Sequence, residues 1–494
     1  MISGIQLRQQ VLDEIPGLAN TADIWLVGGA VRESLLGRHT GDLDFAVRGS
    51  AGAVGRRVAH DLAAAYYDLD RERGTGRVIW TDPAGRRRTL DFATLRGADL
   101  DADLFARDFT VNALAVPLAG PFEVMDPTGG LGDLRRRILR VCRESSIRDD
   151  PVRALRGVRL AVDLNFRIEP TTRDRIRSDG GDLGRIAPER IRDELVRILS
   201  SSRPGRALRL LDHLGLLELT IQSPPSPPGS RDGSSPGPLF DRRLDVVDRL
   251  ADLLMVLGPN PDPEAAADIS LAHVSMRLGV YRGRLQGHLG QEMVPGRPSR
   301  WLLFLAALAH QGGPAIARKN AEGLRRGARS SGITTGRQLA LSNSESEKLD
   351  QMDVGRLWPD FHAGLPLLAR SVYRFFRSVG DVVPEAALLQ LADHLAERVG
   401  APPEGPWVLE LETARELLRA FWEERGRWID VEPVIKGDRL AEELGLDPGP
   451  AIGRALEAIA EAQATGEVST PEQALTLARE VIRGESGIAG SPRK

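Results

Sequence analysis

The stretch that decides the fold is residues 24–47, IWLVGGAVRESLLGRHTGDLDFAV. Its first four residues form an apolar run that ends at a double glycine, which is typical of a buried strand. The segments Val31–Leu36 and Leu43–Val47 predict a short helix and a second strand. Residues 24–47 therefore predict a strand–helix–strand unit.

The sequence after residue 47 predicts further strands and, beyond them, mainly helices. A helix is predicted over residues 54–65, and residues 78–94 have the pattern of a hairpin with a Pro-Gly turn. Residues 110–117 fit a helix or a strand equally well. From about Asp149 the apolar positions recur at helical spacing. The sequence therefore predicts an α+β fold, in which an elongated all-helical region follows a small mixed sheet.

Two aspartates in this stretch point to metal chemistry. Asp42 and Asp44 are two residues apart on a predicted strand, so both carboxylates face the same side. Such a pair is well tolerated when a divalent cation lies between the two groups. Mg²⁺ prefers one or two carboxylates together with substrate phosphate oxygens. The pair therefore predicts a Mg²⁺ site, with Asp91 on the hairpin as a candidate third carboxylate.

The double glycine suits a phosphate group. Gly28 and Gly29 allow the backbone to approach a triphosphate closely, and Arg32 adds a charged donor. On its own, an Asp-x-Asp pair or a double glycine before a helix is common in surface turns. The joint order of strand, Gly-Gly-x-x-Arg, helix and Asp-x-Asp favours two-metal phosphoryl transfer instead.

Five segments in order closely resemble the motifs of the class II tRNA nucleotidyltransferases, a family that also contains bacterial poly(A) polymerases. They are residues 26–32 with 42–44 (LVGGAVR and DLD), 107–114 (RDFTVNAL), 126–134 (DPTGGLGDL), 149–156 (DDPVRALR) and 189–195 (ERIRDEL). The acidic pair that begins the fourth motif is Glu-Asp in the family, and this chain has Asp149-Asp150 there.

The resemblance implies a role for each matching residue. They are Gly28, Gly29 and Arg32 for the triphosphate, Asp42 and Asp44 for Mg²⁺, Arg107 for the incoming nucleotide, Asp150 and Arg153 for its base edge, and Arg156 and Arg159 for phosphate or base. An aspartate and an arginine can imitate base pairing with C or A. The alternatives are a solvated helix face for the last three arginines, and an ion pair with Asp108 for Arg107.

The implied reaction is in-line attack of a tRNA 3′ hydroxyl on the α-phosphate of CTP or ATP, with release of pyrophosphate. The segment from Asp91 to Asp108 is short, whereas many complete CCA-adding members have a longer flexible loop there. The sequence leaves open whether the product ends in CCA or in CC, and a CC-adding enzyme needs a separate A-adding partner. A poly(A) polymerase or a non-catalytic RNA-binding homologue are the alternatives.

The family resemblance also divides the chain. It implies a catalytic head at 1–140, a helical neck at 141–220 for base reading and RNA binding, a Pro/Gly/Ser linker at 221–239, a helical body at 240–400 and a tRNA-binding tail at 407–494. The body resembles a degenerate HD-type domain, in which Gln311 follows His310 at the position of the expected aspartate and Arg242 stands for an upstream histidine. This region is therefore expected to have no hydrolase activity.

Composition limits the class of protein to which this chain can belong. The 494 residues contain one cysteine, Cys142, so a disulfide framework is excluded, and no apolar run is long enough for a membrane span. The net charge is -3, but residues 134–160 contain nine arginines against three acids. A GC-rich genome produces a general excess of arginine, so only this clustering favours a phosphate-rich partner. The sequence predicts a cytoplasmic multidomain protein.

Overall fold

The computed structural model describes residues 4–19, 21, 23–38, 40–70, 74–82, 84–120, 122–221, 238–261, 268–309, 335–355, 366–397 and 405–488. The chain forms two compact units. The first contains residues 1–197 and 209–220, and the second contains residues 198–208 and 221–494. The first unit holds a mixed sheet, and the described part of the second is helical apart from one short hairpin.

A six-stranded sheet is the centre of the first unit. Its strands are β1 (Ile24–Val27), β2 (Asp42–Val47), β3 (Ala65–Asp70), β4 (Thr75–Thr81), β5 (Arg87–Thr94) and β6 (Ala115–Pro117). They lie in the order β3-β4-β5-β2-β1-β6. The β2–β5 pair is parallel, and the other neighbouring pairs are antiparallel. The predicted mixed sheet is therefore confirmed.

The helices up to residue 220 surround or follow this sheet. They are α1 (Gly4–Glu14), α2 (Gly29–Leu35), α3 (Ala51–Asp61), α4 (Leu100–Phe105), α5 (Gly130–Arg136), α6 (Ser146–Asp149), α7 (Val152–Leu164), α8 (Pro170–Asp179), α9 (Pro188–Leu199), α10 (Pro204–His213) and α11 (Leu217–Thr220). A two-stranded parallel sheet of β7 (Ile138–Leu139) and β8 (Arg167–Ile168) lies among them.

Each face of the six-stranded sheet has its own apolar core. On one face Phe45 and Phe92 stack with ring centroids 4.8 Å apart, and α1 and α3 pack against them. The Ser50 side chain accepts a hydrogen bond from the Ala53 amide and so caps the start of α3. On the other face, Leu100 and Leu104 of α4 pack with residues of β1, β2 and β6.

The predictions of the first two strands and of the β4–β5 hairpin are confirmed, but the prediction for residues 62–65 is wrong. The helix predicted over 54–65 ends at Asp61, and Ala65–Asp70 is an edge strand. Its register with β4 shifts between Asp68 and Asp70. Most of its residues are exposed, including Tyr67 and Leu69, so the strand lacks the apolar alternation that would have revealed it.

The described residues after 220 are mainly helical, as expected. Their helices are α12 (Pro238–Val256), α13 (Ile269–Leu278), α14 (Arg282–Leu289), α15 (Arg300–Ala309), α16 (Asn343–Gly355), α17 (Ala369–Val379), α18 (Val383–Glu397), α19 (Gly405–Glu423), α20 (Arg425–Trp428), α21 (Gly437–Leu444), α22 (Pro450–Thr465) and α23 (Pro471–Ile488). Strands β9 (Glu292–Val294) and β10 (Arg297–Pro298) form the hairpin. The last three helices share a separate core around Leu440 and Ile459.

A buried carboxylate lies among the helices of the second unit. Glu385 is fully buried, and its two oxygens lie 2.9 Å from His288 Nε2 and 3.0 Å from Lys348 Nζ. The Ser299 hydroxyl donates to the same carboxylate at 3.2 Å. These contacts hold the pKa of Glu385 below its ordinary value, although burial alone would raise it. The polar groups therefore satisfy one another within the helical core.

Some sequence predictions fall on residues outside the described ranges. His310 and Gln311 are among them, as is the predicted linker except for its first residue and its last two. Arg242 is described, and its Nη2 lies 2.5 Å from Glu397 Oε1. None of the helices in the described ranges is long and apolar enough to span a membrane.

We predict that Gly130→Ala destabilises the first unit. A Cβ at residue 130 would lie 2.1 Å from the Thr110 carbonyl oxygen, so the start of α5 would have to move. Overpacking of this kind typically costs about 1–3 kcal/mol. The control is Gly132→Ala on the same helix, where a Cβ meets nothing within 4 Å. Thermal unfolding of both variants checks this, and equal melting temperatures would contradict it.

Candidate active site

Three carboxylates lie on the face of the sheet against which α4 packs. The parallel register places Asp44 beside Asp91, and Asp42 is two residues before Asp44 on the same strand. Asp91 is held by Arg77 of β4, whose Nε and Nη2 each donate at 2.8 Å to one carboxylate oxygen. The strand pairing therefore brings Asp42, Asp44 and Asp91 together, with Asp91 already engaged by a cation.

Asp44 lies among both acidic and basic neighbours. Its pKa is raised to about 6, mainly by burial, with smaller contributions from the charges of Asp91 and Asp42, while Arg107 and Arg77 oppose the rise. Within the described part of the chain, no group of three or more His, Cys, Asp and Glu residues is arranged to hold a metal ion. Because Asp91 faces Arg77, the pair that fits a divalent cation is Asp42 and Asp44.

Gly28 lies directly between two of these charged groups. Its φ of 74° is in the left-handed region, which favours glycine. A Cβ at this position would lie 3.2 Å from Asp44 Oδ2 and 3.3 Å from Arg107 Nη1. Glycine therefore leaves open the space beside Asp44 and Arg107, where the backbone turns from β1 into α2 at Gly29.

The two arginines nearest this space are held by neighbouring side chains. Arg107 donates through Nε and Nη2 to Asp103 Oδ2 at 3.1 and 3.0 Å, so its partner is Asp103 and not the adjacent Asp108. Arg32 donates to Glu33 Oε1 at 2.7 and 2.9 Å and to the Asn112 side-chain oxygen. Both guanidinium groups are thus oriented before any phosphate is bound.

Asp108 connects this site to the helix that follows it. Its carboxylate accepts hydrogen bonds from the Phe109 amide at 2.7 Å, Asn112 Nδ2 at 3.0 Å and Arg156 Nη1 at 3.2 Å. Burial alone would raise the pKa of Asp108, but Arg156 and these donors hold it below its ordinary value. Since Asn112 also accepts from Arg32, a continuous chain of hydrogen bonds runs from α2 to α7.

Glu194 is the partner of the arginine stripe on α7. It accepts from Arg156 Nε at 3.1 Å, Arg159 Nε at 3.0 Å and Arg197 Nη1 at 3.1 Å. The side chain is buried, yet these three cations hold the pKa of Glu194 below its ordinary value. Arg156 and Arg159 therefore face a carboxylate rather than open solvent.

Asp150 and Arg153 lie at the start of α7. Asp150 Oδ2 accepts from Arg190 Nη2 at 2.8 Å, whereas its Oδ1 is buried and has no hydrogen-bond partner among the described residues. Arg153 donates to the carbonyl oxygens of Ala106 at 3.0 Å and Arg107 at 3.3 Å. Asp150 therefore keeps an unused acceptor, and its other oxygen lies 3.8 Å from Nε of Arg153, the residue that contacts the Arg107 segment.

Sequence reasoning gave no role to four residues that organise this region: Arg77, Asp103, Asn112 and Glu194. Asn112 and Glu194 lie inside motifs that the resemblance quoted, so their position was the available signal. Arg77 and Asp103 lie outside those motifs. Their importance depends on strand register and on one turn of α4, which only the fold reveals.

We predict that Glu194→Gln destabilises the chain by about 3 kcal/mol, because the half-buried guanidinium groups of Arg156 and Arg159 and the exposed one of Arg197 lose their charged partner. The folded-state pKa of Glu194 lies below its ordinary value of 4.5, so its contribution is fully present above 4.5 and is lost as pH falls through the folded-state pKa. Denaturation at neutral and acidic pH measures this. Glu189→Gln, exposed on the same helix, is the control, and equal losses would refute the role.

Two known families match the chain in order. The Poly A polymerase head domain family matches residues 24–140, which include the sheet and the three carboxylates. The family described as Probable RNA and SrmB- binding site of polymerase A matches residues 165–222. The fold also matches a solved complex of a CCA-adding enzyme with ATP, with a TM-score of 0.59 at 21% identity, over 97% of this chain and 94% of that one.

Full-length relatives agree with these matches. The A-adding tRNA nucleotidyltransferase of Deinococcus radiodurans is 33% identical over 458 residues, which cover 91% of this chain and 93% of the relative. The CC-adding tRNA nucleotidyltransferase of Geobacter sulfurreducens is 31% identical, covering 91% and 90%. The chain therefore belongs to the class II tRNA nucleotidyltransferases, the enzymes that add nucleotides to tRNA 3′ ends.

Proposed function

We propose that this chain adds the two cytidines of the tRNA 3′ end from CTP and stops before the terminal adenosine. The observation that carries this proposal is the connection between β5 and α4, which has only five residues, 95–99. The Arg96 amide donates to Asp103 Oδ1 at 3.0 Å, and Asp103 also holds Arg107. A nucleotide pocket fixed in this way has little freedom to change from CTP to ATP.

Addition of the terminal adenosine is the second candidate function, because the relatives differ in the nucleotide that they add. The Deinococcus relative is A-adding, whereas those from Geobacter, Thermus thermophilus and Synechocystis are CC-adding. The buried, unpartnered Oδ1 of Asp150 is compatible with both, since cytosine and adenine each present an exocyclic amine as a hydrogen-bond donor. Either activity leaves a second enzyme to complete or prepare the CCA end, and a tRNA substrate supports the expected cytoplasmic location.

The residues of the site would have different roles in the proposed reaction. Asp42 and Asp44 would hold Mg²⁺, because the two carboxylates are two residues apart on one strand and so share one face of the sheet. When bound, the metal would supply charge stabilisation at the transferring phosphate. Gly28 leaves space for the triphosphate, Arg107 faces that space, and Asp150 would accept from the base. Asp91 would stay paired with Arg77 at the side of the attacking hydroxyl.

The hydrogen-bonded framework supports a modified role for the α7 arginines. Arg153 would position the Arg107 segment through two carbonyl oxygens. Arg156 and Arg159 would fix α7 through Glu194 rather than bind the nucleotide directly. We also propose that residues 1–140 and 141–220 act as head and neck, 240–400 as body and 407–494 as a tRNA-binding tail.

The deciding experiment is primer extension with tRNAs that end before the first C, after the first C and after both. We expect CTP to extend the first two by two and one nucleotides, and ATP to extend none. Addition of adenosine to the last tRNA alone would identify an A-adding enzyme, and a complete CCA end would refute the short-connection argument. Asp42→Ala should abolish transfer and weaken Mn²⁺ binding; unchanged Mn²⁺ affinity would remove the metal assignment.

A second prediction concerns base selection. Asp150→Ala removes the unpartnered acceptor, so discrimination of CTP against UTP should fall about ten-fold or more, since one good base-edge contact is worth about 1–3 kcal/mol. Competition between the two nucleotides on one primer measures this ratio. Asp149→Ala is the matched control, because Asp149 is exposed and pairs with Ser145 and Arg143. An unchanged ratio in Asp150→Ala would refute base reading by this residue.

A further inference from the structure

The strand registers place four side chains in one row across the sheet. Asp44 on β2 pairs with Asp91 on β5, Asp91 pairs with Arg77 on β4, and Arg77 pairs with Tyr67 on β3. Directly paired residues of neighbouring strands point to the same face of a sheet. The bidentate contact between Arg77 and Asp91 agrees with this. Tyr67 therefore lies on the carboxylate face, three strands from Asp44, at the edge of the sheet.

The exposure of this row increases towards the edge. The side chain of Asp91 is 23% exposed and that of Arg77 is 39% exposed, and Tyr67 is 52% exposed. The neighbouring Tyr66 points to the opposite face, where a Cβ on Gly55 would lie 2.8 Å from its ring. Tyr66 serves the core, whereas the ring of Tyr67 has no part in the core and remains open.

The positions of the attacking and leaving groups indicate which substrate binds over β5, β4 and β3. Gly28 and Arg107 lie on the β1 side of Asp44, so that side takes the triphosphate and the leaving pyrophosphate. An in-line displacement brings the attacking oxygen from the side opposite the leaving group. The 3′ end of the acceptor RNA therefore approaches over β5, β4 and β3. This step rests on the proposed nucleotidyl transfer.

We propose that Tyr67 and Arg77 form the subsite for the single-stranded 3′ end of the acceptor RNA. The ring of Tyr67 stacks on a base, and Arg77, fixed by Asp91, faces the sugar-phosphate backbone between that base and the attacking hydroxyl. With strands about 4.8 Å apart, Tyr67 lies about 14 Å from the strand of Asp44, so the stacked base precedes the terminal nucleotide. Stacking tolerates any base, which suits an acceptor whose 3′ end changes with each addition.

The test compares Tyr67→Ala with Tyr67→Phe on an RNA hairpin that has a single-stranded 3′ end. Tyr67→Ala should raise KM for the RNA about ten-fold and leave KM for CTP unchanged, because only the stacking partner is lost. Tyr67→Phe keeps the ring and should behave as the wild type. Leu69→Ala is the matched control, since Leu69 is 49% exposed on the same strand. Equal KM values for Tyr67→Ala and Tyr67→Phe would overturn the proposal.

A binding measurement separates this subsite from the proposed reaction. Hairpins with 2-aminopurine near the 3′ end should be quenched more strongly by the wild type and Tyr67→Phe than by Tyr67→Ala. An abasic nucleotide at the stacked position should abolish that difference and identify the position. If the wild type transfers no nucleotide, the proposed function fails, but the quenching still decides the role of Tyr67. Equal quenching by all three chains would refute the subsite.

Discussion

The parallel pairing of β2 with β5 is the constraint on which the active site depends. It places Asp44 next to Asp91 on one face, and the strand period adds Asp42 to the same face. Three carboxylates on one face oppose one another, and this repulsion adds to the burial that mainly raises the pKa of Asp44. Arg77 neutralises one of them, and a divalent cation would neutralise the other two. Backbone hydrogen bonds fix the register of the two strands, so the three carboxylates stay on the same face of the sheet whatever their side-chain rotamers.

Arginine serves two different purposes around this centre. Arg107 borders the space beside Gly28 and remains close to the surface of the site. Arg156 and Arg159, by contrast, saturate the buried Glu194 and bind α7 to α9. A buried carboxylate is costly unless several donors satisfy it, so removal of either side of this contact would leave uncompensated charge. The local excess of arginine is therefore partly internal structure and only partly a binding surface.

Sequence patterns predicted what local structure determines. The β1–α2–β2 unit and the hairpin follow from short apolar runs and turn residues, and each was confirmed. Strand β3 was missed because its exposed side chains follow neither helical nor strand periodicity. The carboxylates Asp42, Asp44 and Asp91 could be proposed from spacing alone. The partners Arg77 for Asp91 and Glu194 for Arg156 could not, because 14 and 38 residues separate them along the chain.

The shifted register in β3 has a consequence for the behaviour of the molecule at high concentration. An edge strand has a row of backbone amides and carbonyls that can pair with the same strand of another molecule. The irregularity between Asp68 and Asp70 interrupts that row and increases the local twist. Two such edges cannot align over their full length, and the two aspartates would repel each other across the contact. The edge strand β3 can therefore stay exposed without promoting β-sheet pairing between molecules.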